Sequence, residues 1–75
     1  MFGTIVQGTM SVQQFASKLR KIGKIARMTP EQIREQWLRG LSPMNQYTLR
    51  SIGMFFQTIY NQIRSLAELE AYTFS

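Results

Sequence analysis

Cysteine, histidine and aspartate are all absent from the sequence. Without cysteine there are no disulfides, no thiolate metal sites and no thiol nucleophile. Without histidine and aspartate, Glu31, Glu35, Glu68 and Glu70 are the whole acidic supply. That is too little for the usual acid–base pairs, catalytic triads or metal-ligand clusters. No catalytic residue, metal, cofactor or small-molecule substrate is therefore expected. Long apolar runs are missing too: none approaches the roughly 20 residues that span a bilayer. Nor does a basic segment followed by a sustained apolar one open the chain, as a secretory signal would. A soluble, intracellular chain without a membrane partner is expected.

What is present fits one small domain, residues 1–75. A chain of this size buries only about 60–65% of the surface its unfolded form exposes, so help from a partner surface is expected to matter. Nine Lys and Arg against four Glu leave a net charge of +5, which favours acidic partners in general without specifying one.

Helix signals then recur along the sequence. Thr4, Ile5 and Val6 favour an extended form over Met1 to Gly8, and Gly8 can supply a bend. Ser11 and Gln14 have the form of a capping box, opening a first helix of about 11–26. Val12, Phe15, Leu19, Ile22 and Ala26 form its apolar stripe, with Arg20, Lys21, Lys24 and Arg27 nearly opposite. Thr29-Pro30-Glu31-Gln32 is the clearest helix start, combining N-cap, first-turn proline and capping box.

The second helix, 30–40, carries Ile33, Trp37, Leu38 and Leu41 inward, pairs Glu35 with Arg39 and stops at Gly40. Ser42-Pro43 starts a third, 43–52, with Met44, Tyr47 and Ile52 as packing residues and Gly53 closing it. Phe55 and Phe56 are expected to plug the core from a short connection. A fourth helix, 58–72, packs through Ile59, Ile63, Leu66 and Ala67, with Tyr60, Tyr72 and Phe74 as packing groups beside it. The fold class is therefore all-α, a compact bundle of four short helices behind a short extended segment.

The order of these features resembles a known family. Gln7-Gly8, Ser11-Val12, Phe15 and Leu19 are similar to the QG-x-x-S-V-x-x-[YF]-x-x-x-[FL] pattern of Gag capsid proteins, called the major homology region in retroviruses. About eighteen residues on, Trp37-Leu38-Arg39-Gly40-Leu41-Ser42-Pro43 resembles the [FW]-L-x-G-L-x-P motif of Gag in gypsy-type retrotransposons. With the fourth helix, the resemblance covers nearly the whole chain. It implies the C-terminal lobe of a capsid protein, a four-helix domain that dimerises and joins the subunits of a virus-like particle in the cytoplasm.

The neuronal Arc protein and the SCAN dimerisation domains share the implied fold, so a domesticated host protein is a second reading. Under the resemblance, Gln7 helps hold the turn against the first helix. Ser11 departs from the retroviral form, which usually has Glu there, and stands closer to the retrotransposon one. The sequence shows neither an N-terminal lobe nor a zinc knuckle. It is read either as an excised lobe of a longer Gag, with RNA bound through the parent protein, or as a minimal derivative.

Candidate functional residues follow. Self-association is expected to draw on the exposed parts of the second helix and on nearby Met44, Tyr47 or Phe56, and on Trp37 should it anchor a subunit contact instead of joining the core, as its stripe favours. A competing reading is a small basic nucleic-acid-binding module using Arg20, Lys21, Lys24 and Arg27, although no aromatic residue interleaves with them to stack bases.

Overall fold

Each helix begins with the same local device. Ser11, Thr29, Ser42 and Thr58 each accept, through the side-chain oxygen, the backbone N–H three residues on, from Gln14, Gln32, Asn45 and Asn61 at 3.1, 3.1, 3.2 and 3.2 Å. Such a bond satisfies a donor that the first helical turn otherwise leaves open. Gln14 and Gln32 return the bond to the N–H of Ser11 and Thr29, completing two capping boxes.

The computed structural model describes residues 5–74. Its helices are α1 (Val12–Ile25), α2 (Pro30–Gly40), α3 (Pro43–Ser51) and α4 (Ile59–Phe74). The fold is all-α, and no strand occurs among the described residues. Met1 to Thr4, half of the expected extended segment, lie outside them. Ile5 to Gln7 are docked without regular structure, with Ile5 packed on the core. Among the described residues no helix is long and apolar enough to cross a membrane.

α1 packs against α2 and α4, and α3 packs against α4. The core between them is Val12, Phe15, Ala16 and Leu19 from α1, Trp37 from α2, Leu41, Leu49 from α3 and Leu66 from α4. Trp37 is fully buried and lies nearly parallel to Phe15, their ring centroids 5.5 Å apart. A buried indole N–H needs a partner, and Gln62, itself fully buried, provides one at 2.7 Å. The Gln62 amide nitrogen then donates to the carbonyls of Met54 and Phe55 at 3.1 and 2.9 Å. Arg34 takes the carbonyls of Phe55 and Gln57 from the other side. Two polar side chains thus hold the connection between α3 and α4.

Several sequence expectations are corrected here. Trp37 is a core residue, as its place on the apolar stripe favours, so the alternative of a subunit contact anchored by it is the part corrected. On α3 the inward residue is Leu49, fully buried, whereas Met44, Tyr47 and Ile52 face outward at 71, 70 and 47% exposure. One helical face cannot bury Leu49 together with Met44 and Tyr47, which lie well around the helix from it. Phe55 is half-buried, but Phe56 is 92% exposed, because the bonds to the Phe55 carbonyl fix the chain so that only the first of the two rings turns inward. The second meets the first edge-on. Tyr60 and Tyr72 are exposed rather than packed, and the Phe74 side chain lies outside the described residues.

The helix ends differ from one another. Gly53, at φ 72°, takes the left-handed position after α3, and the N–H groups of Gly53 and Met54 bond back to Arg50 and Leu49. After α1 the same arrangement holds, with Arg27 and Met28 bonding back to Lys24 and Gly23. There the left-handed residue is Arg27, at φ 53°. The Cβ clash costs roughly 1–2 kcal/mol, so Arg27 is strained and Gly is the residue this position favours. Gly40 is the last residue of α2 but not a left-handed stop. Leu41 caps the helix in an extended conformation.

Two stability effects are expected in urea denaturation. Arg27→Gly should stabilise the fold by about 0.5 kcal/mol, once the greater chain entropy of unfolded glycine is set against the relieved clash. A loss of stability would contradict the strain. Gln62→Leu, of similar volume, should destabilise by about 2 kcal/mol, since it orphans the buried Trp37 N–H. A neutral result would mean the buried amide is dispensable.

Candidate functional site

The two segments that carry the sequence motifs meet in one place. The Gln7 carbonyl accepts from Met10 N–H at 3.0 Å, closing a turn whose second residue, Gly8, has φ 56°. The left-handed value suits glycine. The Gln7 N–H donates to the Gly40 carbonyl at 2.8 Å, and Gln7 is only 4% exposed. Its side-chain nitrogen donates to the Met10 carbonyl at 2.9 Å. Its side-chain oxygen accepts from Ser42 N–H and from the Asn45 amide, each at 3.0 Å.

That last pair explains why Gln7 is a glutamine. Ser42 caps α3, yet the third helical residue is Asn45, whose side chain donates to Gln7 instead of reaching back to Ser42 N–H as the Gln residues do in α1 and α2. Gln7 stands in for the missing half of the capping box. The expectation that Gln7 ties the turn to the first helix is therefore corrected: apart from its bonds within the turn, its partners lie at the junction of α2 and α3. Asn45 was missed in the sequence, where the signal was a Ser-Pro start without Gln or Glu at the third helical position. Gly40 belongs to the same junction, because a Cβ there would collide with the Ile5 carbonyl and the Phe15 ring.

A second partner for the start of α1 was also missed. Glu70, on α4, accepts the Val12 N–H through both carboxylate oxygens, at 2.9 and 3.2 Å. A carboxylate at a helix N-terminus meets both the open donors and the positive end of the helix dipole. The turn, Ser11, Met44, Asn45 and Glu70 border an open concavity of about 620 Å³. Among the described residues no group of three or more His, Cys, Asp or Glu could hold a metal ion.

The remaining motif residues are structural. Phe15, Leu19 and Leu41 are core, Leu38 packs against it, Ser11 caps α1, and Pro43 is the first residue of α3. The expected self-association residues divide: Trp37 is buried, while Met44, Tyr47 and Phe56 are strongly exposed. Met44 and Tyr47 are three residues apart and share the outward side of α3 with Ser51. Arg20, Lys21, Lys24 and Arg27 are all exposed; the first three lie on α1 and Arg27 in the turn that ends it.

Gln7→Ala should lower stability by about 2 kcal/mol, since Ser42 N–H and the Met10 carbonyl lose their partners. Amide exchange at Ser42 should rise more than at the core of α1, as followed by NMR. Uniform change at both places would remove the local capping role. No protein family, curated protein or solved structure matches the chain.

Proposed function

We propose that this chain is a homotypic assembly module, the C-terminal lobe of a Gag-like capsid protein, acting by binding rather than chemistry. The observation that carries the reading is the outward face of α3. Met44 and Tyr47 are exposed there, while Leu49 on the other side anchors the helix to the core. Tyr offers a large rigid contact area with a polar tip, and Met adapts to the surface opposite. Tyr is also enriched among the residues that dominate interface energetics.

Rigidity supports the same reading. The base of α3 is held by Ser42, Asn45 and Gln7, so its outer face is ordered before any contact is made. Pre-ordering lowers the entropic cost of association. That the two motif segments bond directly to each other agrees with the resemblance to Gag, in which they occur together. A two-fold contact of α3 against α3 is the default geometry, since isologous interfaces dominate among homo-oligomers. A domesticated, SCAN-like dimerisation domain would use the same physics.

Sedimentation from micromolar to millimolar protein should show a reversible dimer. Replacing Met44 and Tyr47 together with Ser should weaken association at least about tenfold, or about 1.4 kcal/mol, with the thermal midpoint of the dilute monomer unchanged. A strict monomer at millimolar concentration would sink the proposal, and so would a double variant that dimerises as the parent does.

A further inference from the structure

The charge of this chain is segregated. Lys18, Arg20, Lys21, Lys24 and Arg27, on α1 and its terminal turn, equal in number the whole net excess of +5. The other four cations, Arg34, Arg39, Arg50 and Arg64, are matched by four glutamates, none of which lies on α1. Those four arginines are also engaged. Arg34 holds backbone carbonyls, Arg39 pairs with Glu35 at 2.8 Å, and Arg50 and Arg64 lie over the rings of Phe55 and Tyr60. The five cations of α1 and its turn are all exposed, and among the described residues none of them is in an ion pair.

We propose that the outward face of α1 binds the phosphate backbone of nucleic acid, independently of sequence and apart from the α3 contact. Lys18, Lys21 and Lys24 recur every three residues, so they present charge at about 4.5 Å steps along the helix. Such an even row suits a polymer with one anion per repeating unit. Lys18, Lys21 and Lys24 are joined on that side by Gln13, Gln14 and Ser17, which are exposed as well. No aromatic residue is there to stack bases, so the contact is to phosphate, which positions without reading sequence.

A protein partner is disfavoured because interfaces between proteins are built around an apolar centre, and this face offers only Ile25. A membrane surface is disfavoured because the apolar side of α1, Val12, Phe15, Ala16 and Leu19, is already in the core. An interfacial helix needs that side free to insert.

The test is fluorescence anisotropy of a labelled uridine-rich RNA strand over a series of salt concentrations, using the full chain. The variant Lys18→Gln, Lys21→Gln, Lys24→Gln should lose at least about tenfold in affinity, and its salt slope should fall by about 2, as loss of three phosphate contacts requires. The variant Arg39→Gln, Arg50→Gln, Arg64→Gln removes the same net charge elsewhere and should keep most of the affinity. Equal losses in the two variants would reduce the effect to diffuse net charge and overturn the proposal. So would a parent chain that does not bind RNA at low salt, or one that prefers phosphatidylserine vesicles to the strand. Sedimentation of the lysine variant at high salt, where repulsion between copies is screened, should match the parent, which separates this result from the fate of the α3 contact.

Discussion

Burial of one polar atom organises the centre of this domain. Trp37 is the largest side chain in the core, and its ring cannot be enclosed unless the indole N–H is satisfied. Gln62 meets that need, and an amide that accepts at one end must donate at the other. It donates to the carbonyls of Met54 and Phe55, which shapes the connection between α3 and α4. That connection turns Phe55 toward the core and Phe56 toward solvent. The path of the chain between two helices is thus set by a hydrogen bond within the core.

Gln7 does for the second junction what Gln62 does for the first. Backbone and side chain together join the Gly8 turn to Gly40, Ser42 and Asn45. The junction of α2 and α3 is a single tight corner, with Leu41 and Ser42 between the helices. So short a link leaves few backbone donors, and each must find a partner. Gly40 lets the docked Ile5 approach, and Gln7 then reaches the Ser42 N–H. The two stretches that resemble Gag motifs are therefore complementary halves of one capping arrangement, a physical reason for them to occur together in a sequence.

The caps of α1, α2 and α3 were legible in the sequence because they depend on residues close together along it, and so were the bounds of the helices to within one or two positions; the Thr58 cap of α4 was not read. The apolar stripe of α1 was legible for the same reason: fourteen residues give a periodic pattern several turns in which to repeat. α3 has only nine, so the stripe through Met44 and Tyr47 and the position of Leu49 competed as readings of one short segment. Only the packing against α4 decides between them. Gln62, Arg34 and Glu70 stayed hidden for a different reason. They are polar, so a hydrophobic pattern assigns them to solvent, and their partners are distant in sequence. The same distance concealed the partner of Gln7, although its unusual place beside a glycine turn was visible.

Salt would separate the two proposed contacts by sign. Two copies that associate through α3 each carry a charge of +5, so raised ionic strength screens their mutual repulsion and favours the pair. Contact between α1 and phosphate works in the other direction, since its driving force is release of counterions into solution and dilute salt strengthens it. Phosphate bound along α1 would itself neutralise the charge that keeps copies apart. A polyanion is then the condition under which a weak α3 contact does best at low salt, with no conformational change required. α4 packs against both α1 and α3, so the two surfaces share a rigid support while the coupling between them is electrostatic.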